Sequence, residues 1–400
     1  MIPLHEARQF VLDRVRQLDA RSVALPDAAG LVLAADVVAA EQVPPFANTA
    51  MDGFAVRAVD TLDAPVTLEM IGTIAAGATF DGEVGAGQAA RIMTGAPMPR
   101  GADAVVMVER TELDEVNETV AVEITVAEGN HVRAAGEDVE PGDLLFAAGT
   151  LLTAGHLGVL ASVGVRKVQA VRRPRVGVIS TGDELVDDDR PLQPGEIRDS
   201  NRRTLLTLAA EAGWEAVDLG IAPDDPDAIR AAFVSGAESC DAILSSGGVS
   251  MGAFDYVKVV LDEIGDMRWM QIAIKPAKPF AFGLIDTTPV FGLPGNPVSS
   301  MVSFELFARP AIGFMGGAVD TELPLLRAIS EDSLGHESDG KTHFMRVEGR
   351  VDETGRWHVR RAGGQGSHQL TAMARADALA LSPDGATIEA GDEVQILPLR

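Results

Sequence analysis

"RVGVISTGDEL", residues 175–185, decides the architecture. Its first seven residues form a short β-branched apolar run, the composition of a strand buried on both faces. The run stops at Gly182, and two carboxylates follow, Asp183 and Glu184. Helix and strand signals then alternate. "SNRRTLLTLAAEAG" reads as a helix with Ser200 or Asn201 as N-cap and Gly213 as its stop. "WEAVDLGI" reads as a strand, "DPDAIRAAFVSGAES" as a helix, "DAILSS" as a strand and "GAFDYVKVVLDEIG" as a helix. A strand pair around 269–285 follows, and "PVFGLPGNPVSSMVSFELFARPAIGFM" closes with a strand, a Gly/Pro loop and a long helix. Strands alternating with helices of this length predict a doubly wound, mostly parallel sheet.

The flanks differ. "PLHEARQFVLDRVRQL" (3–18) spaces its apolar residues as one helical face, and 152–164 reads as a short helix. Residues 45–135 carry short Val/Ile/Thr runs broken by Gly, Pro and Asp, the pattern of a small β-rich domain. From about 319 short strands return and end in "DEVQILPL", which predicts a final β-barrel. A chain of 400 residues exceeds one ordinary core, so the fold class is multidomain α/β.

Composition excludes several functions. No apolar stretch is long enough to span a membrane, and the N-terminus lacks the basic and apolar regions of a secretory signal. The one cysteine, Cys240, rules out an internal disulfide and reads as a buried structural thiol. The seven histidines show no HxH or HExxH spacing, so no zinc site is expected from motif. These features predict a cytoplasmic protein. A net charge of −26 argues against nucleic acid, which needs a basic stripe, and repels small anions at long range.

Lysine occurs only at 167, 258, 275, 278 and 341, yet two of the five share "IAIKPAKPFAFG" (272–283). Ligands of open α/β sheets bind outside the carboxyl ends of the strands. Four motifs fall there: "STGDEL", with Thr181, Gly182, Asp183 and Glu184; "SSGGVSMG", with Ser246, Gly247, Gly248 and Ser250; "KPAKP"; and "GLPGNPVSS", with Pro294, Gly295 and Asn296. Glycines let backbone N–H groups converge on an anion, and Pro297 suits a first helical position, with Ser299 and Ser300 in the first turn. Each motif alone has a plainer reading, as a tight turn, a solvated loop carboxylate or a surface Lys-Pro. On one sheet edge, two ammonium groups and the glycine loops favour an anion, and the carboxylates favour a hard divalent ion such as Mg²⁺.

These stretches, with "NTAMDGFAV", "RIMTGAPMP", "AAGEDV" and "RDSNRRTL", occur in the order seen in the molybdopterin molybdenumtransferase family, which the chain resembles over essentially its whole length. That family includes the bacterial enzymes and the C-terminal domain of gephyrin. The resemblance implies the last step of molybdenum cofactor biosynthesis: adenylylated molybdopterin and molybdate bind, molybdate is inserted at the dithiolene, and AMP leaves with Mg²⁺. It implies a homodimer of elongated subunits that serves molybdoenzyme biosynthesis partners. It divides the chain into an elongated linking region (1–44 with 136–172), the small β-rich domain (45–135), a doubly wound molybdopterin-binding domain (173–318) and the C-terminal barrel (319–400). By the same resemblance Lys275, Lys278, Ser299, Arg346 and Ser367 lie by molybdate. Asp52, Thr94, Asp138, Glu184, Asp224 and Asp255 are implied catalytic residues, with Asp224 and Asp255 holding Mg²⁺ and the pterin adenylate. In the family, the N-terminal β-domain of one subunit faces the doubly wound domain of the other.

Departures from the family pattern are Gln271 in place of a further lysine, Ala277 in place of a glycine, Ala253 in place of an acidic residue, Phe54 in place of a tyrosine, and "RADAL" in place of "ANGL". Two rival readings are a molybdopterin adenylyltransferase and a gephyrin-like scaffold. The first is essentially the doubly wound domain alone, and the second need not retain the lysines and carboxylates.

Overall fold

Alternation of side chains between two faces explains most of the strands. In a computed structural model of the chain, which describes residues 1–247 and 256–399, the residues divide into two units. One comprises Met1–Arg21, Gly30–Ala34 and Gln169–Arg400; the other comprises Ser22–Ala29 and Ala35–Val168.

The first unit opens with helix α1 (Leu4–Leu12), shorter than the 3–18 expected, because a turn at Asp13 and Arg14 ends it. Ala7 and Val11 are buried in the core, and so is Val15 beyond the helix end.

The second unit is built on a six-stranded half-barrel sheet. Its strands are β1 (Gly53–Val56), β2 (Val66–Ile74), β3 (Gln88–Ile92), β4 (Ala104–Met107), β5 (Thr111–Asp114) and β6 (Thr119–Val122), in the order β4-β1-β3-β2-β6-β5. Successive residues of a strand face opposite ways. Phe54 and Val56 accordingly join one apolar cluster with Leu68, Val106 and Val120, while Ala55 joins another with Ile74, Ile92 and Val105. Helix α2 (Ala154–Ser162) lies within 152–164, as its pattern predicts.

The rest of the first unit holds the alternating region: β7 (Arg175–Thr181), α3 (Ser200–Glu211), β8 (Glu215–Ala222), α4 (Pro226–Ser239), β9 (Ala242–Ser246), α5 (Tyr256–Ile264), β10 (Asp266–Gln271), β11 (Ile274–Lys275), β12 (Pro279–Ile285), β13 (Thr288–Leu293), α6 (Pro297–Ser303) and α7 (Arg309–Met315). A π-helical turn, Phe304–Ala308, joins the last two into the expected long helix. The sheet order is β8-β7-β9-β13-β12-β10. Neighbours are parallel from β8 to β13, and β12 runs antiparallel to both its partners. Val176 and Val178 pack with α3, α6 and α7 on one face, while Ile179 packs with Ile229 and Phe233 of α4 and Val260 of α5 on the other.

The N-cap of α3 is neither Ser200 nor Asn201 but Asp199, whose carboxylate accepts from Arg202 N. The carboxylate wins because it also accepts from Ser180 Oγ at the end of β7 and pairs with the Arg202 guanidinium. Gly213, at φ +81°, follows the helix end as expected. Cys240 is buried, as expected, and caps the end of α4 just before the strand that starts at Ala242. Burial raises its thiol pKa, as an inert structural cysteine requires.

The C-terminal barrel contains β14 (Leu326–Ser330), β15 (Thr342–Val351), β16 (Trp357–Arg361), helix α8 (Leu370–Arg375), β17 (Ala378–Ser382) and β18 (Glu393–Pro398). Pairing runs β15-β16-β14-β18-β17 and returns to β15, a closed five-strand barrel, with β11 added beside β15. Met345, Val347, Ala378, Ala380, Val394 and Ile396 fill its inside. The alternate residues Phe344, Leu379 and Leu397 join the core of the doubly wound domain. Among the described residues no helix is long and apolar enough to cross a membrane.

Candidate active site

Register aligns the carboxyl ends of the parallel strands. Ser180 pairs with Ser246, Ser246 with Leu293, and Thr181 with Ala222. The chain visits the middle strand β7 first, then β8 on one side and β9 on the other, so the direction of winding reverses between β7 and β9. Such a reversal opens a crevice at the carboxyl edge where ligands of this architecture bind.

Thr181, Gly182, Asp183 and Glu184 leave β7 at that crevice, and Ser246 and Gly247 leave β9. Gly247 has φ +98°, and a Cβ there would stand 3.1 Å from both the carbonyl oxygen and Oγ1 of Thr181. Only glycine lets the two loops approach so closely. Its N–H donates to Leu293 O, tying β9 to the end of β13. Gly248, Ser250 and Asp255 lie outside the described residues.

Asn201, read from the sequence only as an N-cap candidate, joins two of these loops. Its Nδ2 donates to Ser246 Oγ at 2.8 Å and to Gly295 O at 2.7 Å. Beneath it Arg202 is 4% exposed and ringed by Asp199, Asp218 and Asp187. Burial opposes the Arg202 charge, but the hydrogen bonds it donates to Asp218, Asp199 and Asp187 outweigh it and raise its pKa further. The same hydrogen bond from Arg202 holds the Asp187 carboxyl below its ordinary range. The signal was available: "RDSNRRTL" stood among the ordered motifs, with only an N-cap role given to Ser200 or Asn201.

On the β8 side, Asp183 accepts from Asp224 N at 3.0 Å, which fixes the two carboxylate-bearing loops together. Both side chains are exposed, and among the described residues the Asp224 carboxylate has no hydrogen bond or ion pair.

On the β13 side, Ala281 pairs with Gly292 in an antiparallel register. Extending that register sets Pro279 opposite Pro294, so Lys278 also stands at the carboxyl edge. The lysine stretch is pinned from three directions. Ile272 N donates to Lys278 O, Ala273 N to Ile2 O, and Thr342 N to Ala273 O. Ile272, Ile274 and Ala277 are buried, leaving Lys275 and Lys278 exposed. Among the described residues neither ammonium group has a hydrogen-bond or ion-pair partner. Ala277 sits at φ +73°, a left-handed conformation that suits the glycine it replaces.

Pro294, Gly295 and Asn296 form the loop into α6, with Asn296 at its N-cap, Pro297 first and Ser299 buried in the first turn. The Val298 N–H of this turn is already taken by Ser367 O. Arg346 alternates with Met345 and Val347 and therefore points out of the barrel. Only 1% exposed, its guanidinium donates to Gly364 O and Gly366 O, and its backbone N–H to Gln365 Oε1. Arg346 thus holds the loop that carries Ser367, and burial lowers its pKa.

Asp52, Thr94 and Asp138 belong to the other unit. Thr94 donates to Asp52 Oδ1 from its backbone N at 2.7 Å and from Oγ1 at 2.6 Å. These bonds, the side-chain one foremost, hold the Asp52 carboxyl below its ordinary range. Asp138 is exposed, and its N–H donates to Val43 O.

Family profiles cover this arrangement from end to end. The MoeA N-terminal region (domain I and II) matches residues 2–164, a probable molybdopterin binding domain matches 177–313, and the MoeA C-terminal region (domain IV) matches 335–399. The chain belongs to the molybdopterin molybdenumtransferase family. Family members similar to it include the molybdopterin molybdenumtransferase of Haemophilus influenzae, 37% identical over 401 residues that span 100% of this chain and 98% of the relative. That of Bacillus subtilis is 35% identical across 100% of this chain and 94% of its own. Among solved structures, the molybdopterin biosynthesis moeA protein from Pyrococcus horikoshii OT3 superposes with a TM-score of 0.81 at 30% identity, covering 99% of each chain. The family's three-region order accounts for both the doubly wound domain and the barrel.

Proposed function

We propose that this chain is a molybdopterin molybdenumtransferase that inserts molybdate into adenylylated molybdopterin with release of AMP, acting as a homodimer. Full-length similarity to relatives of that name supports it. The observation that supports the reading is the glycine-lined crevice, with Lys278 and the loop carboxylates at the same carboxyl edge and Lys275 three residues before Lys278.

In this reading the β7 and β9 loops, with Thr181, Gly182, Ser246, Gly247 and the Pro294–Gly295–Asn296 turn, receive the pterin adenylate. Backbone N–H groups and closely approaching glycines suit a phosphate. Lys275 and Lys278 supply point charges to the molybdate dianion. Ser299 and Ser367 line the same end, and Arg346 keeps the Ser367 loop in place. Concentrating the ammonium groups offsets the field of an acidic chain.

The edge also suits Mg²⁺. It offers hard oxygen donors in Asp183, Glu184 and Asp224, and among the described residues no three of these gather tightly enough to cage an ion. That matches an ion that takes one or two carboxylates and completes its shell with phosphate oxygens and water. Asp224 would hold it, together with Asp255. When bound, Mg²⁺ stabilises charge developing on the phosphate during AMP release.

The test supplies the purified chain with adenylylated molybdopterin, molybdate and Mg²⁺. AMP and molybdenum cofactor should appear together. AMP formation that ignores molybdate would reject the reading. Light scattering should give a mass twice the single-chain 42.0 kDa, and a mass near that value would reject the dimer.

A further inference from the structure

The polar cluster closing one end of the C-terminal barrel has no part in the chemistry above. His343 continues the inward row of Met345 and Val347 on β15, and Ser382 continues that of Ala378 and Ala380 on β17. The two are direct partners in the antiparallel register, so their side chains share the inside of the barrel. Ser382 is fully buried, and its Oγ has no hydrogen-bond partner. A buried hydroxyl left unpaired costs about 1–3 kcal/mol, so it marks a site that something else completes.

His336 and Asp339 reach the same place from the loop before β15. The donor atoms of His336, Asp339 and His343 lie within 4.8 Å of one another. His343 Nε2 is 3.2 Å from both Asp339 oxygens. His336 Nδ1 lies 2.8 Å from Glu337 O, and its Nε2 lies 3.3 Å from Ser382 O. Both carbonyls can only accept, so a neutral imidazole that satisfies Glu337 turns a lone pair toward Ser382 O. Protonation of the ring, or a cation between the lone pair and Ser382 O, resolves that opposition.

The surroundings fit a metal ion. A ligating imidazole usually donates its other N–H to a backbone carbonyl, and Glu337 O and Ser382 O both lie within reach of the His336 ring nitrogens. The Asp384 carboxylate accepts from Ser338 Oγ and from the N–H groups of Asp339 and Gly340, each at 2.9 Å, and so sets the turn that presents Asp339. Lys341 pairs with Asp339 at 2.8 Å and supplies the compensating charge in the metal-free chain. The imidazoles stack with centroids 3.5 Å apart and planes within 1°, so one ring must turn about its Cβ–Cγ bond before both lone pairs meet one ion. His336, in the loop and only partly buried, is the ring placed to turn.

We propose that His336, Asp339 and His343 form a binding site for a divalent transition metal ion, with Ser382 completing its surroundings. Two imidazoles and one carboxylate suit zinc and its neighbours rather than Mg²⁺ or Ca²⁺. Three protein ligands leave a coordination position for water or an anion. Because Lys275 of β11 pairs with His343, occupancy would also brace the strand that carries this lysine.

The probe is Zn²⁺, titrated into the metal-stripped full chain with excess Mg²⁺ to mask surface carboxylates. Calorimetry should show one site per chain, and Co²⁺ should give the visible absorption of a low-symmetry site with nitrogen ligands. His336→Ala and Asp339→Asn should each weaken Zn²⁺ by more than about 100-fold, and Asp384→Asn, which removes only support, by about 10–100-fold. Far-UV circular dichroism checks that each variant is folded. His336 and Asp339 are not core residues, so these two decide the matter even if a His343 variant fails to fold. Absence of a saturable Zn²⁺ site in the wild-type chain, or undiminished binding in folded His336→Ala and Asp339→Asn, would overturn the proposal.

Discussion

The side-chain amide of Asn201 donates to Ser246 Oγ at 2.8 Å and with the same nitrogen reaches Gly295 O, so one residue of α3 spans two loops of the proposed pterin crevice. Each such bond contributes about 0.5–1.5 kcal/mol net. Asn201→Ala should therefore lower stability by about 1–3 kcal/mol in denaturant unfolding. It should raise the half-saturating concentration of pterin adenylate more than that of molybdate. Equal effects on both would show that Asn201 supports the fold only.

Asp199 and Arg202 form a buried pair under the same edge, with side chains 1% and 4% exposed. Removing Arg202 leaves Asp199 buried and unpaired, at a cost of about 3–5 kcal/mol. Asp199→Ala leaves Arg202 with Asp187 and Asp218 and costs less, and replacing both is often tolerated. Asp199→Ala also removes a helix cap, which adds about 1 kcal/mol. The double variant Asp199→Ala/Arg202→Met should recover part of the loss in chemical denaturation. No recovery would mean that the cap and the Ser180 bond, rather than the ion pair, dominate.

Ala277 occupies a left-handed backbone conformation, at a cost of about 1–2 kcal/mol for a residue with a Cβ. Glycine removes that strain, but it gains about 0.4–1 kcal/mol of freedom in the unfolded chain and loses a buried methyl group. Ala277→Gly should shift stability by less than about 1 kcal/mol in either direction, and Ala277→Val should destabilise clearly. A large loss for the glycine variant would show that the methyl packing outweighs the strain.

Asp52 owes its lowered pKa first to the Thr94 hydroxyl and second to the Thr94 N–H. In Thr94→Val the N–H remains, so the Asp52 pKa should rise part of the way toward the ordinary carboxylate range, while Thr94→Ser should leave it low. Because the folded pKa is depressed, its stabilising contribution is present above the unfolded pKa and is lost as pH falls through the folded one. Carboxyl carbon NMR titration reads the shift directly. An Asp52 pKa unmoved in Thr94→Val would remove the hydroxyl as its cause.

The doubly wound sheet was legible because its signals are local. Apolar runs bounded by Gly, and helices ended by residues such as Gly213, need no long-range information. The final barrel was read from its short strands alone, although its closure depends on β15 pairing with both β16 and β17. The N-cap of α3 was misassigned because Ser200, Asn201 and Asp199 all suit the position, and the choice is made by Ser180 and Arg202 at a distance. The edge lysines stood out by rarity in an acidic chain. The cluster of His336, Asp339 and His343 did not, because its completion by Ser382 depends on strand register.

The central claim is that Lys275 and Lys278 receive an oxyanion at the crevice. A charge-assisted contact to an anion contributes about 1.5–3 kcal/mol, so Lys275→Ala and Lys278→Ala should each raise the half-saturating molybdate concentration on the order of 10–100-fold. The decisive measurement titrates AMP release with molybdate at saturating pterin adenylate and Mg²⁺, for the wild-type chain and both variants, with tungstate as a competitor of the same shape. The account predicts a large shift for molybdate and little change for the pterin. Half-saturating molybdate unchanged in both variants would contradict it.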